Sequence, residues 1–280
     1  MLRYLVIACV LTISGCSARA AEKNLDRTFT VTPGGTLSVD AQGASVHVSG
    51  HDGNQVVVHM LLRGPERQVE GATLDAVQTD EGVTVTMRQR SGNWFGGWGN
   101  WGKREIEVSV PRQYAIDVHT SGGSIALRDT TGNATARTSG GSLRAENITG
   151  NVELKTSGGS IETEAIQGDV DAGTSGGSIR LLRVDGKISA KTSGGSVRCE
   201  LAGANRGISA RTSGGSIELT LPDGTTGNID ASTSGGRVSS DFPVTVTEQE
   251  RSRLVGALNG GGAPIYAHTS GGSISLRTQH

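Results

Sequence analysis

"TSGGSIALRDTTGNATARTSGGSLRAENITGNVELKTSGGSIETEAIQGDVDAGTSGGSI" occupies residues 120–179. It is one 18-residue unit written three times and begun a fourth. TSGGS starts at Thr120, Thr138, Thr156, Thr174, Thr192, Thr212 and Thr269, and TSGGR at Thr233, so the intervals are 18, 18, 18, 18, 20, 21 and 36 residues. The last interval is twice the first, which reads as one degenerate copy within "FPVTVTEQERSRLVGAL" (242–258). A strict period at this length is the signature of a stacked repeat rather than of a disordered Gly/Ser tract.

The columns of the repeat give its local structure. Five residues after each Thr stand Ile125, Leu143, Ile161, Ile179, Val197, Ile217, Val238 and Ile274. Seven after it stand Leu127, Ala145, Thr163, Leu181, Cys199, Leu219, Ser240 and Leu276, with mostly polar residues between. That alternation is the period of a half-buried strand. A second strand precedes each TSGG. Four before the Thr stand Ile116, Ala134, Val152, Val170, Ile188, Ile208, Ile229 and Ile265, and two before it Val118, Ala136, Leu154, Ala172, Ala190, Ala210, Ala231 and Ala267. The Thr shares their parity and points inward. Turns such as "TTGN", "ITGN", "IQGD" and "VDGK" join the two strands, with Ile148, Ile166 and Val184 plugging that corner.

One such unit cannot bury its apolar face alone, whereas stacked units continue each column through their neighbours. The expected fold is all-β: a right-handed parallel β-solenoid, or single-stranded β-helix, of about 18-residue coils spaced ~4.8 Å apart. Right-handedness follows from the rule for crossovers between parallel strands. Left-handed hexapeptide helices share the coil length, but their inward residues recur every six positions, and these do not. TSGG is then a corner. Its glycines are expected to take positive φ and to let turns stack closely, and its hydroxyls to bind neighbouring turn backbone.

The rest of the chain is read against this core. With 43 glycines, 26 basic and 27 acidic residues and a net charge of −1, no clustered cationic face for nucleic acid is expected. The start, "MLRYLVIACVLTISGC", has Arg3 followed by an apolar run, Leu5 to Ile13, too short for a bilayer span and suited to a signal peptide over 1–15. "ISGC" resembles a bacterial lipobox, which makes Cys16 the lipidated mature N-terminus; a plain signal cut near "SARA" is the alternative. Residues 16–26 are expected to be a lipid-proximal tether, placing the protein on the outer membrane if the cell is Gram-negative. Cys9 would leave with the signal and Cys16 carry lipid, so Cys199 stands alone and no intramolecular disulfide is expected. The single solenoid domain spans 27–280, with irregular N-terminal coils over 27–110 and regular repeats over 111–280.

Outward columns carry charge. One runs Asp117, Thr135, Glu153, Asp171, Ser189, Ser209, Asp230, and the next His119, Arg137, Lys155, Gly173, Lys191, Arg211. Side by side they read as a solvated surface of weak ion pairs.

The stretches "VSVPRQYAIDVHTSGGSIAL" (108–127) and "LNGGGAPIYAHTSGGSISL" (258–276), with the repeated TSGGSI pattern between them, resemble the bacterial putative-adhesin family of unknown function. The resemblance covers 27–280. It implies a right-handed β-solenoid in the cell envelope and supplies no catalytic residues to carry over.

No constellation for chemistry stands out. Right-handed β-helix enzymes acting on polysaccharides need clustered carboxylates in a groove, and no pair is singled out here. His47, His51, His59 and Asp52 are close in sequence but fit outward strand and turn positions, and the calcium nonapeptide pattern is absent, so neither metal nor cofactor is expected. One segment breaks the repeat: "SGNWFGGWGNWGKRE" (91–105) holds all three tryptophans. Trp94, Phe95, Trp98 and Trp101 are the candidate interaction loop for a glycan, a lipid interface or an envelope protein partner; covering an open end or side of the solenoid is the alternative. The expected function is a non-enzymatic envelope lipoprotein presenting a surface for adhesion, binding or scaffolding. A polysaccharide-acting enzyme and a self-assembling structural element are the alternatives.

Overall fold

The computed structural model describes residues 21–89 and 102–279. Its repeats form a flattened solenoid of two sheets, 13-stranded and 12-stranded among the described residues. The strand before each TSGG lies in the first, called here the front sheet, and the strand after it in the second, the back sheet. Coils stack in parallel and in register, as the sequence columns require. Ile161 pairs with Leu143 on one side and Ile179 on the other, and Val152 with Ala134 and Val170. The inward columns are the core, where Leu127, Leu154, Leu181 and Ile188 are buried with Ile148, Ile166 and Val184 at the turn corner. Each unit covers its neighbours, so the apolar cluster is continuous from Val31 to Leu276.

The corners obey two different constraints, and one corrects the sequence reading. No TSGG glycine has a φ in the left-handed region. The second glycine is needed because the coils approach too closely for a side chain. A Cβ at Gly159 would lie 2.0 Å from the Gly141 carbonyl oxygen, and one at Gly177 2.1 Å from that of Gly159. The inward Thr closes the same contact. Thr156 Oγ1 donates to Gly141 O at 2.9 Å and Thr174 Oγ1 to Gly159 O at 2.8 Å, and the ladder repeats through Thr192, Thr212 and Thr269. Ser hydroxyls form a parallel ladder, Ser160 N donating to Ser142 Oγ and Ser178 N to Ser160 Oγ, both at 3.3 Å. Positive φ belongs to the opposite corner, at Asp129 (57°), Asn147 (54°), Ala165 (57°) and Arg183 (51°).

The ends depart from simple stacking. The interval of 36 residues before Thr269 holds no decayed coil. The chain forms the coil Gly227–Thr233 and Val238–Ser240, then an antiparallel hairpin, Val244–Glu250 with Arg253–Leu258. It then returns to place Pro264–Thr269 and Ile274–Thr278 between that coil and the coil of Ile208–Thr212 and Ile217–Leu221. The last coil in sequence is therefore the second to last in space. The other end has the same device: Thr36–Ala41 and Ser45–His51 lie between the later coil Gly82–Gln89 and Arg104–Pro111 and the first TSGG coil. Residues 27–110 are thus less a run of irregular coils than one inserted coil, one outer coil and antiparallel cover. Gln55–Gly64 pairs antiparallel with Arg104–Pro111, and Ala21–Thr30 with Gln55–Gly64. Ala72–Thr79 covers the front sheet in the same way. The strand starting at Ala21 takes up residues 21–26, which the sequence assigned to the tether; alternation in "AEKNLDRTFT" suits an edge strand with one face half-buried, Leu25 and Phe29 against the core, and the other exposed. Among the described residues antiparallel strands cover three of the four sheet ends, whereas Val238–Ser240 is the terminal strand of the back sheet.

Candidate binding faces

Outward side chains stand on rigid columns, because their inward neighbours are locked in the core and both corners are hydrogen-bonded from coil to coil. On the back face the charges neutralise one another. Arg144 pairs with Glu146 and reaches Glu162 at 3.7 Å, Arg180 reaches Glu162 at 3.9 Å, Arg183 pairs with Glu164 at 2.7 Å, and Arg198 with Glu218 at 3.2 Å. The hydrogen bond from Arg144 to Glu146 raises the guanidinium further above its ordinary value. These pairs are solvent-exposed and contribute little each.

The front face is different along its length. Arg137 pairs with Glu153 at 2.9 Å and Lys155 with Asp171 at 2.5 Å. On the next two rungs the acidic column reads Ser189 and Ser209, and among the described residues Lys191 and Arg211 have no carboxylate partner. Arg211 donates to Ser209 Oγ at 2.9 Å and lies 4.3 Å above the Tyr266 ring. Gly173 leaves a gap in the basic column between Lys155 and Lys191. A shallow trough of about 480 Å³ opens there, lined by Lys155, Asp171, Gly173, Ser189, Lys191 and Arg211 among others. A hollow of about 270 Å³ lies on the back face beside His47, Arg144 and Glu162.

The other sequence candidates fall as follows. Cys16 and the loop of Trp94, Phe95, Trp98 and Trp101 lie outside the described residues; the loop joins Gly82–Gln89 of the front sheet to Arg104–Pro111 of the back sheet. His51 and Asp52 do not join His47 and His59, which flank Glu107 on the back sheet. His59 Nδ1 meets Asp26, His51 Nε2 lies 2.9 Å from Gln55 O, and Asp52 accepts from Arg112 at 2.8 Å. Among the described residues no group of three His, Cys, Asp or Glu side chains could hold a metal ion. His119 and His268 share a column but stand at opposite ends of the regular coils. Sequence reasoning missed one row: strand pairing sets Asp26, His59, Glu107 and His47 on four successive strands of the back sheet. Antiparallel cover strands built it, and periodicity does not reveal them. Cys199 is buried, and desolvation pushes its thiol up to about 12. Among the described residues no helix is long and apolar enough to cross a membrane.

The two-sheet parallel stack with buried Thr–Gly corners defines a β-solenoid of the toastrack class. The chain belongs to the Toastrack DUF4097 family, whose model matches residues 35–277. No curated protein matches it. Among solved structures it is similar to a putative adhesin from Bacteroides fragilis, at 16% identity with a TM-score of 0.53, covering 92% of this chain and 97% of that one. A putative cell adhesion protein from Clostridium sporogenes matches at 11% identity and a TM-score of 0.31, covering 92% of this chain and 100% of that one. A putative lipid binding protein from Parabacteroides distasonis matches at 15% identity and a TM-score of 0.41, covering 92% and 97%. Identities this low carry the fold alone.

Proposed function

We propose that the protein is a non-enzymatic cell-envelope lipoprotein whose solenoid presents its outer faces for binding or adhesion, tethered through Cys16 and held on the outer membrane if the cell is Gram-negative. The observation that carries this reading is the pair of outward faces, whose side-chain columns are fixed at rung spacing by buried Thr–Gly ladders. Such a surface can hold a long, regular partner without reorganising, and preorganisation of this kind favours binding. The putative-adhesin name of the Bacteroides fragilis neighbour and the "ISGC" stretch support the same reading. Antiparallel strands at three of the four sheet ends interrupt the parallel stacking that open-ended assembly would continue.

The test incubates purified protein with envelope polysaccharide and follows co-sedimentation and the appearance of new reducing ends. Binding without cleavage is expected. Cleavage would overturn the reading in favour of a polysaccharide-acting enzyme. For the anchor, Cys16→Ala should move the protein from the membrane to the soluble fraction of the envelope; full membrane retention would overturn that part.

A further inference from the structure

The front-face trough at Gly173 is built where three independent features of the repeat coincide. The first is a missing side chain. The basic column runs His119, Arg137, Lys155, then Gly173, then Lys191, Arg211 and His268 on successive rungs. Gly173 is extended strand, so no backbone requirement places glycine there. A Cβ at that site would meet only the flexible Lys155 side chain, 3.1 Å from its Cδ. The second feature is charge. Where the neighbouring column is acidic, as at Glu153 and Asp171, the cation is paired. Where that column reads Ser189 and Ser209, Lys191 and Arg211 are left without an anion among the described residues. Of the charged groups lining the trough, three are cations and one is a carboxylate, itself held by Lys155. The third feature is the remaining lining: Ser175, Ser189, Ser193 and Ser209 supply hydroxyls that can donate or accept.

We infer that this trough binds an acidic polysaccharide segment, with uronate carboxylates on Lys191 and Arg211 and sugar hydroxyls on the serines. The inference rests on the proposed role as a binding surface and names its ligand class. The geometry suits a linear saccharide running along the stack. Lys191 and Arg211 are one rung apart, ~4.8 Å, and Lys155 and Lys191 two rungs apart, ~9.6 Å. A pyranose chain advances by a length close to one rung per sugar, and successive sugars turn to different sides, so one uronate carboxylate sits between Lys191 and Arg211 while the next same-side carboxylate falls two or more rungs on. Arg211 is held in place by Ser209 and the Tyr266 ring, which limits the entropy lost on binding.

Other anions fit less well. A membrane headgroup would call for apolar side chains beside the cations to enter the bilayer. Among the described residues the exposed large hydrophobics are Val57, Val77 and Val246, none of which lines the trough. A nucleic acid would need many phosphate contacts along a wide basic face, and among the described residues lining the trough only Lys191 and Arg211 are unpaired.

The experiment is calorimetric titration of the full folded domain with tetragalacturonate at low ionic strength. The variants are Lys191→Gln with Arg211→Gln, Gly173→Lys, and Arg144→Gln on the back face, each checked for an unchanged unfolding midpoint. Saturable binding is expected for the parent and for Arg144→Gln. The double variant should lose roughly tenfold or more, as expected for removing charge-assisted bonds. Gly173→Lys adds a cation yet fills the gap, and should weaken binding. Tighter binding by Gly173→Lys would show a plain charged stripe and overturn the inference. So would equal loss with Arg144→Gln, or binding to phosphatidylglycerol vesicles but not to tetragalacturonate. If tetragalacturonate fails while envelope polysaccharide still co-sediments with the protein, this inference falls and the proposed function stands.

Discussion

The two glycines of one TSGG corner should behave unlike each other when each is replaced by alanine. At Gly159 the new methyl would sit 2.0 Å from Gly141 O and 2.4 Å from Gly141 C. At Gly158 the nearest atoms are 3.7 Å away, an ordinary contact. Neither residue has a left-handed φ, so steric space alone separates them. Relief at Gly159 needs the coils to part by more than 1 Å, roughly the gap to a normal carbon–oxygen contact. The corner resists this, because Thr156 and Thr174 bind the Gly141 and Gly159 carbonyls at 2.9 and 2.8 Å. Overpacking costs ~1–3 kcal/mol, and weakening one or two buried hydrogen bonds adds ~1 kcal/mol each. Gly159→Ala should therefore lose about 2–5 kcal/mol on those two grounds. Gly158→Ala should stay within about 0.5 kcal/mol, or gain slightly through a less flexible unfolded chain. Urea unfolding followed by far-UV circular dichroism and by the exposure of buried Cys199 to a thiol reagent measures both, with coincidence of the two probes as the check on two-state behaviour. Equal losses at the two positions would refute close approach as the reason for the second glycine.

Other substitutions separate the remaining terms. Thr174→Val removes the donor to Gly159 O and should cost about 1–2 kcal/mol, whereas Thr163→Val removes a fully buried hydroxyl without a partner and should stabilise by about 1 kcal/mol; thermal unfolding of the two variants should shift in opposite directions. Cys199, with its thiol pushed up to about 12, should resist a maleimide at pH 8 until the protein unfolds. Because the folded thiol is the weaker acid, stability is retained below the unfolded value near 9 and falls between there and about 12. The fall is ~1.4 kcal/mol per pH unit, and Cys199→Ala should remove that slope from denaturation curves measured across this range. A chain ending at Asn259 should lose more than one outer coil: removing the inserted strands Pro264–Thr269 and Ile274–Thr278 parts the coils on either side, so limited proteolysis should digest the region from Gly227 onward while the coils before it survive.

The sequence by itself determined the coil, its two strands, its inward columns and the place of its corners, because each is a local pattern repeated until chance is excluded. Ile161 and Val152 point inward by strand alternation alone, and the neighbours they pair with follow from identical spacing. The sequence also exposed the ingredients of the front-face trough, since Gly173, Ser189 and Ser209 interrupt their columns visibly. It could not show that these interruptions meet, or that Lys155 leans across the gap to Asp171, because side-chain reach is not periodic. The role of the TSGG glycines was misread for a related reason: a turn glycine suggests positive φ, but the deciding contact is with the carbonyl of another coil, 18 residues away in sequence. Only the tertiary structure decided the ends. The hairpin Val244–Leu258 looks like a damaged repeat because its alternation survives while its partner changes. Strand alternation is the same whether the next strand is parallel or antiparallel, nearby or returning from 36 residues on. Which edge a strand joins is fixed by where unpaired backbone remains once the regular coils have stacked.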